Sequence, residues 1–435
     1  MHRLVAFTVA LIILNLALQV RSAYAQIRES VVLSFTGTGG GAPGSAPYGT
    51  LIADSTGNLY GTTLRGGRFN AGVVFKLDAA RDYAEVVLHT FTGNPRGDGD
   101  GGFPAAGLVM DADGNLYGTT TCGGNAPCDT QGVGGDGVIY RITPAESYAV
   151  LYKFKGGSDG SRPYASLLRV GTVLYGTTTH GGLTGCTDAL GAGCGTAFKF
   201  PIKSGRETVF YRFTGGNDGG VPYAPLVRDR LGRFVGTTWA GGLNSRGTIF
   251  SLTAQGAQSV LYHFRGSSDG GRPFAGLSVD SANNLYGTAS CGGTGGTCPR
   301  GRGVVFVFSG ATFQTLHSFA ASPDGAMPIA GVILDSAKNL CGTTFSGGAA
   351  SMGTLFTLTS SSGYAKEIRY DFLGAPQDGA FPYAGLLFDP LVRKRVCPGT
   401  APVLDQPSGK GVCNYACGAP SAGGAANAGA VVGAQ

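Results

Sequence analysis

One phrase of five residues recurs six times along the chain, and this repetition constrains the fold more than any other feature. The phrase reads Leu-Tyr-Gly-Thr-Thr at residues 59–63 and returns, with small changes, at intervals of 51 to 60 residues. The later copies lie at residues 116–120, 174–178, 234–238, 285–289 and 340–344. A Gly-Gly pair and then a glycine before an apolar stretch follow each copy. Each unit therefore repeats a whole run of turns and strands.

Each repeat contains four short segments with the alternation of apolar and polar residues that is typical of β-strands. The fourth copy shows them most clearly, at residues 222–229, 233–238, 247–252 and 259–264. Glycine supplies 77 of the 435 residues and only 13% are charged, which suits tight turns and short strands better than helices. Four short strands in about 40 to 60 residues predict a β-propeller blade, and the even spacing predicts one closed all-β array.

The two ends of the repeat region predict how the ring closes. Residues 31–35 resemble a fourth strand, and residues 381–389 resemble a first strand with no full repeat behind it. Worn second and third strands are predicted at residues 396–400 and 411–415. A blade that combines strands from both ends leaves no free sheet edge. Seven blades are therefore favoured, and six blades with a loose C-terminal extension are the alternative.

The first 25 residues have the pattern of a secretory signal peptide, with an apolar run at residues 4–18 and an Ala-Tyr-Ala cleavage site before Gln26. A signal anchor is the alternative. A single propeller domain is predicted over residues 26–417, followed by a disordered Ala/Gly-rich tail at residues 418–435. No later stretch is long and apolar enough to cross a bilayer, so no membrane span is expected in the mature chain. The predicted location is extracellular or periplasmic.

The charge of the chain argues against one class of partner. The formal net charge of +6 falls to +4 when Arg3 and Arg21 leave with the signal peptide, and the remaining basic residues are scattered. Domains that bind nucleic acid concentrate basic residues on one face. The sequence therefore predicts no nucleic-acid partner, and it leaves an unidentified protein or carbohydrate as the expected ligand.

The extended phrase Asn-Leu-Tyr-Gly-Thr-Thr-x-x-Gly-Gly, followed by Gly-Thr-Val-Phe or a close variant, resembles the GloVer repeat. This is the Gloeobacter/Verrucomicrobium-type tandem repeat of secreted bacterial proteins often called choice-of-anchor proteins. The resemblance covers residues 31–389. It implies a secreted β-propeller and no general catalytic activity. Many members end in a sorting anchor, whereas residues 418–435 have no apolar run with basic residues behind it, so the resemblance does not extend to surface anchoring.

Six of the ten cysteines form close pairs in the loops between second and third strands. The pairs are Cys122 with Cys128, Cys186 with Cys194, and Cys291 with Cys298. In a chain with a signal peptide, such pairs predict disulfides. Zinc is the alternative, but it needs four converging ligands and no histidine lies beside these pairs, so no metal site is assigned. Cys341, which replaces the tyrosine of the phrase, is expected to be a buried free thiol.

One face of the predicted propeller collects the loops after the second strands and the connections between blades. The two residues after each Gly-Thr-Thr differ between repeats, and variable residues on a fixed frame are where repeat proteins keep their specificity. Trp239, Phe345, His180 and Arg65 occupy these positions and form the candidate ligand-binding face. Trp239 could stack on a sugar ring or anchor a peptide, and packing between blades is its alternative role.

Aspartates in the connections between blades are the second candidate set. Asp159, Asp218 and Asp269 each stand in an Asp-Gly-x-x-Pro connection. A ring of these carboxylates could hold Ca²⁺ and would have to supply the acids of a polysaccharide-degrading glycosidase or lyase. Ordinary turn chemistry also explains them, because aspartate accepts backbone N–H bonds in such turns. No catalytic residue is assigned. The sequence favours extracellular binding or scaffolding, with the polysaccharide-degrading enzyme as the alternative.

Overall fold

A computed structural model describes most of the repeat region and a few segments near the C-terminus. The described residues are 29–37, 43–94, 99–183, 185–188, 191–320, 322–374, 379–388, 415–417, 420–423 and 430–434. The predicted signal peptide and the worn strand expected at residues 396–400 lie outside these ranges. Within them, no helix has the length and apolar character needed to span a membrane.

Six four-stranded antiparallel sheets follow one another along the chain and are the six blades of an all-β propeller. Blades 1 and 2 contain Ile52–Ala53, Leu59–Thr63, Val73–Asp78 and Ala84–Thr90, then Val109–Met110, Leu116–Thr119, Val138–Ile142 and Tyr148–Lys153. Blades 3 and 4 contain Leu168–Val170, Val173–Thr178, Thr196–Pro201 and Thr208–Arg212, then Val227–Arg228, Phe234–Thr238, Thr248–Leu252 and Gln258–His263. Blades 5 and 6 contain Ser278–Val279, Leu285–Ala289, Val304–Ser309 and Thr312–Ser318, then Ile333–Leu334, Leu340–Thr344, Thr354–Thr359 and Ala365–Asp371.

Short elements in the loops complete the secondary structure. Among the described residues, three 3₁₀ helices lie at Ala79–Arg81, Gly157–Asp159 and Ser360–Ser362. Two-residue strands pair Gly44–Ser45 with Arg65–Gly66, Gly101–Gly102 with Cys122–Gly123, and Thr187–Asp188 with Gly191–Ala192. Most of them pair a loop after a second strand with the connection that enters the same blade, so the two loops lie side by side on one face.

The glycine of the repeated phrase makes room for an aromatic ring from the third strand. Gly61 lies opposite Phe75 in blade 1, and Gly176 lies opposite Phe198 in blade 3. A Cβ atom added to Gly61 would lie 2.6 Å from the Phe75 ring, and one added to Gly176 would lie 2.5 Å from the Phe198 ring. Both distances are shorter than van der Waals contact. The ring can therefore lie flat across the second strand only when this residue is glycine.

The two threonines of the phrase have separate roles. The hydroxyl of Thr62 in blade 1 donates a hydrogen bond to the carbonyl of Ala106 in blade 2 at 2.8 Å, and Thr288 reaches blade 6 in the same way at 2.9 Å. The second threonine stays within its own blade: the Thr178 hydroxyl donates to the carbonyl of His180 at 2.9 Å. The first threonine therefore connects successive blades, and the second braces the loop that follows.

Apolar side chains fill the gaps between successive blades. Between blades 2 and 3, Tyr117, Phe154 and Phe198 are at most 2% exposed and belong to one cluster. Phe35, which follows the N-terminal strand, is buried against blade 1, and its ring meets that of Phe75 at a centroid distance of 5.1 Å. The core is thus a ring of separate clusters, each shared by two neighbouring sheets.

Strands from both ends of the chain form a further sheet, which we call the terminal sheet. Its order is Glu29–Ser34, Ala430–Ala434, Tyr415–Cys417 and Leu387–Phe388. The two edge strands are those predicted from residues 31–35 and 381–389. The middle strands differ from the prediction, because they come from residues 415–417 and 430–434. Residues 418–435, predicted as a disordered tail, also supply Pro420–Gly423, which pairs with Gly379–Pro382.

The number of blades is six, which matches the alternative prediction, and the favoured count of seven is not confirmed. Each of the six blades contains one copy of the repeated phrase. The terminal sheet contains none, so it lacks both the glycine that receives the third-strand ring and the threonine pair. The terminal sheet is therefore not one of the six repeat-built blades.

We expect Thr62→Val to lower the free energy of unfolding by about 1 kcal/mol, because the substitution removes one buried hydrogen bond between blades with little change of shape. Thr343→Val is the matched control: Thr343 has the same place in blade 6, but its buried hydroxyl has no hydrogen-bond partner among the described residues. Its replacement should leave stability unchanged or raise it. Equal losses in denaturant unfolding of the two variants would contradict a stabilising contact between blades.

Candidate functional site

A central channel with a volume of about 250 Å³ is lined by the starts of the inner strands. Seven equivalent segments contribute to its wall, at residues 48–50, 105–107, 164–166, 223–225, 274–276, 329–333 and 383–386. Six of them lead into the first strands of blades 1 to 6, and the seventh leads into Leu387–Phe388 of the terminal sheet. A proline comes directly before each segment. The channel is therefore the place where all repeats meet.

The residue before each of these prolines has a left-handed backbone conformation. The seven residues are Ala46, Phe103, Arg162, Val221, Arg272, Met327 and Phe381, with φ between 51° and 57°. Positive φ is uncommon for residues other than glycine and costs free energy. Hydrogen bonds hold the conformation: the amide of Arg162 donates to the carbonyl of Asp136 at 3.0 Å, and its carbonyl accepts from the amide of Thr179 at 3.1 Å. A strained but fixed backbone thus leads into each segment of the channel wall.

Aromatic rings follow most of these prolines and pack against one another along the channel wall. Tyr223 stacks on Phe274 with ring centroids 4.6 Å apart, and Tyr48 lies 4.0 Å from Tyr383. Phe274 and Tyr383 are 6.1 Å apart and connect the two pairs. Tyr164 extends the set through Tyr223 at 5.3 Å. Five of the seven segments thus contribute a ring to one chain of contacts, and Ala105 and Ile329 take this place in the other two.

Two of the residues predicted for the ligand-binding face join this set. The ring of Trp239 lies 6.3 Å from Tyr223, and the ring of Phe345 lies 5.5 Å from Tyr383. We call the group the aromatic mouth; it consists of Tyr48, Tyr164, Tyr223, Trp239, Phe274, Phe345 and Tyr383. All seven side chains are partly exposed. Burial and the neighbouring tyrosines raise the pKa of Tyr383 above its usual value, so its phenol remains a hydrogen-bond donor at neutral pH.

Arginine side chains lie against the rings. The guanidinium carbon of Arg272 is 4.5 Å from the centroid of the Trp239 ring, which is a cation–π distance. Arg65, also predicted for this face, lies 5.0 Å from the ring of Phe103 and donates to the carbonyl of Thr130 at 3.0 Å. The structure therefore combines aromatic faces with positive charge at one end of the channel.

His180, the fourth residue predicted for the face, is not part of its surface. Its side chain is 1% exposed, and its Nδ1 lies 2.9 Å from the hydroxyl of Thr179. Cys122 and Cys291 have the same place in blades 2 and 5 and are also buried. This place is therefore buried in blades 2, 3 and 5, whereas Arg65, at the same place in blade 1, is partly exposed.

The structure does not bring the predicted aspartates together at the channel. Asp159, Asp218 and Asp269 accept hydrogen bonds from fourth-strand tyrosine hydroxyls at 2.8 Å, from Tyr152, Tyr211 and Tyr262 respectively. Each also accepts the amide of the residue four positions earlier, as in Lys155 to Asp159 at 2.9 Å. These contacts are turn chemistry within one blade. In the part of the chain that the structure describes, no three His, Cys, Asp or Glu side chains lie close enough to hold a metal ion.

The three predicted disulfides are confirmed. Cys122–Cys128, Cys186–Cys194 and Cys291–Cys298 are bonded, with Cα atoms 5.6, 5.0 and 5.2 Å apart. Each closes a glycine-rich loop after a second strand. The prediction for Cys341 is half wrong: the side chain is buried, but it is disulfide-bonded and not a free thiol.

Sequence reasoning missed most of the aromatic mouth. The predicted ligand-binding face contains none of the residues that follow the prolines, and in blade 4 the predicted first strand at residues 222–229 includes Tyr223. The signal was present, because five of the seven prolines precede Tyr or Phe, at Tyr48, Tyr164, Tyr223, Phe274 and Tyr383. An aromatic residue at one fixed place in successive repeats predicts a ring of aromatics wherever those places converge.

The fold and the site define a repeat-built β-propeller with an aromatic opening to its central channel. The chain belongs to the family of the Gloeobacter/Verrucomicrobia repeat, which matches residues 23–182 and 127–299. No curated protein matches the sequence significantly.

Several solved structures are similar to the chain. A gluconolactonase from Xanthomonas campestris is 15% identical, with 74% of this chain and 88% of that one covered and a TM-score of 0.43. The GH74 enzyme from Niastella koreensis is 15% identical, with coverage of 76% and 46% and a TM-score of 0.47. The PQQ-bound aldose sugar dehydrogenase from Streptomyces coelicolor is 14% identical, with coverage of 74% and 93% and a TM-score of 0.43. No activity of this chain follows from these similarities.

Glu207, beside Asp159 at the outer rim, makes the stability of the protein depend on pH. Burial, together with the charge of Asp159, raises the pKa of Glu207 to about 8, and burial raises the pKa of Glu85 to about 7. Both values are far above that of an unfolded glutamate. The folded state therefore binds more protons than the unfolded state between these limits, and stability falls as the pH rises.

We expect the thermal midpoint of the protein to fall as the pH rises from about 5 to about 9. Glu207→Gln should reduce this fall, because the amide cannot ionise and the cost of a buried charge beside Asp159 disappears. Glu146→Gln, at an exposed site, is the control and should follow the unmodified protein. Scanning calorimetry across this range measures the effect; parallel curves for all three proteins would refute it.

Proposed function

We propose that the protein is a non-enzymatic binding protein that acts outside the cytoplasm and holds a carbohydrate ligand at the aromatic mouth. The observation that carries this proposal is the unbroken series of partly exposed rings, from Trp239 through Tyr223, Phe274 and Tyr383 to Phe345, at the end of the channel. Flat aromatic faces bury the apolar C–H faces of sugar rings at little entropic cost, because the side chains are already packed.

The size and polarity of the channel support a saccharide. Its volume of about 250 Å³ lies just below the roughly 300 Å³ at which pockets for drug-sized molecules begin, so it suits one ring with the remainder of the ligand outside. Phenol hydroxyls of the mouth supply donors for sugar hydroxyls. Burial raises the pKa of Tyr48 and Tyr164 as well as that of Tyr383, so these donors stay protonated.

The environment of the aspartates supports binding over hydrolysis. Glycoside hydrolysis uses two carboxyl groups that flank the scissile bond. Asp159, Asp218 and Asp269 instead contact tyrosines of the outer strands and loop amides of their own blades. These hydrogen bonds hold the connections between blades in place.

We also propose that the terminal sheet closes the ring as a seventh blade. Seven equivalent segments line the channel, and the seventh bridges the two ends of the six-blade array. The amide of Phe381 donates to the carbonyl of Met352 in blade 6 at 2.8 Å, and the amide of Gly385 donates to the hydroxyl of Thr50 in blade 1 at 3.1 Å. Closure of this kind removes two exposed sheet faces.

Secretion is part of the same proposal. Residues 1–25 would direct export and be removed after Ala25. The three loop disulfides support an oxidising compartment, since such bonds rarely persist where thiols are kept reduced.

A binding screen against oligosaccharides, combined with a product assay, tests the function. We expect saturable binding without product, and Trp239→Ala should weaken it about 10-fold or more, since a central aromatic contact is lost. Leu231→Ala, at an exposed side chain in the turn before the second strand of blade 4, is the control and should bind normally. If the protein forms product and Asp218→Asn does not, the protein is a polysaccharide-degrading enzyme, and the proposal of binding without catalysis is wrong.

The closure is tested by Phe35→Ala. Phe35 is 1% exposed, so the substitution should cost about 3 to 5 kcal/mol of unfolding free energy if the N-terminal strand belongs to the ring. Phe69→Ala is the control, because that ring is 46% exposed and its loss should cost little. An unchanged unfolding transition in Phe35→Ala would mean that the N-terminal strand contributes nothing to the ring.

A further inference from the structure

The arginines beside the aromatic mouth indicate the charge of the ligand, which the rings alone do not. Arg272 lies over the Trp239 ring at 4.5 Å, and its amide donates to the carbonyl of Arg246 at 2.8 Å, so two arginines are neighbours here. Burial, and then the charge of Arg246, lowers the pKa of Arg272. Neither arginine makes an ion pair with a described carboxylate. No described carboxylate therefore neutralises either charge, and an anion beside Arg272 would supply the missing counter-charge.

The backbone of Arg272 is fixed on both sides. Its φ of 54° is left-handed. Its carbonyl accepts the hydroxyl of Ser290 at 2.8 Å, and its amide is held by Arg246. With the guanidinium also packed on Trp239, little freedom remains to be lost when a ligand binds. Arg272 therefore has the preorganisation expected of a recognition residue.

Positive charge also reaches the opposite side of the mouth. Burial raises the pKa of both Tyr48 and Tyr164, and positive charge works against this rise, from Arg65 at Tyr48 and from Arg162 and then Arg65 at Tyr164. The cation–π contact of Arg65 with Phe103 holds it there. A ligand in the mouth is thus exposed to positive charge from blade 1 as well as from blades 4 and 5.

We propose that the ligand is an acidic saccharide, whose sugar ring stacks in the aromatic mouth while its carboxylate pairs with Arg272. This inference rests on the carbohydrate-binding function proposed above. A guanidinium matches a carboxylate with two parallel N–H···O bonds, and Trp239 beneath it fixes the plane of the fork. A neutral sugar would gain the stacking but would leave Arg272 and Arg246 without a counter-charge, so it binds more weakly.

Titration calorimetry of the full mature protein with three probes of equal length tests the inference: an oligosaccharide of uronic acids, its neutral counterpart and a sulfated neutral oligosaccharide. We expect the uronic-acid probe to bind about 10-fold more tightly than the neutral one, with an affinity that falls as salt rises. Arg272→Gln should remove this preference, because the uronic-acid probe should then bind about 10-fold more weakly, with an affinity close to that of the neutral probe. Trp239→Ala should weaken both probes. Arg228→Gln, at an exposed site before the second strand of blade 4, is the charge-matched control and should change nothing.

The outcomes separate this inference from the function on which it rests. Equal binding of the acidic and neutral probes, or an acidic preference that survives in Arg272→Gln, would overturn the acidic saccharide and leave saccharide binding standing. Tighter binding of the sulfated probe than of the uronic-acid probe would mean that the recognised anionic group is not a carboxylate. Failure of every saccharide to bind would overturn both proposals. Melting curves of each variant establish that a lost preference comes from the site and not from unfolding.

Discussion

The structure depends first on the contact between an aromatic ring of the third strand and the glycine opposite it in the second strand. Because glycine has no side chain, the Phe75 ring can cross Gly61 and present a level surface to the next blade. The following threonine then donates its hydroxyl across the gap, as Thr62 does to Ala106. One short phrase therefore determines both the shape of a blade and its attachment to the next, which explains why its spacing defines the whole array.

The strands that carry this phrase were the most predictable part of the fold. In blade 4 the predicted second and third strands, at residues 233–238 and 247–252, match Phe234–Thr238 and Thr248–Leu252. The first strand was predicted at residues 222–229, but only Val227–Arg228 pairs as a strand. Residues 223–225 instead form the channel wall. The second strand pairs only on either side of them, through Gly220 with Ala240 and Val227 with Val235. The middle strands of the terminal sheet could not be predicted, because they carry no copy of the phrase.

The candidate site was predictable only where it follows the repeated phrase. Trp239 and Phe345 were found because they vary directly after a fixed motif, and both belong to the mouth. His180 was misplaced, since alternation within an irregular loop decides whether a residue faces outward or inward. The left-handed conformation before each proline cannot be deduced from residue type, because Arg, Phe, Val and Met normally avoid it. It is imposed by backbone hydrogen bonds that exist only in the assembled ring.

Those seven left-handed residues have a consequence for how such a protein can change. Backbone atoms make the hydrogen bonds that hold them, so a substitution alters what each residue displays without disturbing how it is held. Met327, which is 42% exposed, can thus be exchanged with little loss of packing, whereas Phe103, Arg162 and Val221 are at most 6% exposed and their side chains also fill the core. Glycine adopts a positive φ without steric strain, so any other residue at these places costs conformational free energy. A side chain there is retained against backbone strain, so the exposed places among the seven are those where the common frame can take up a new contact.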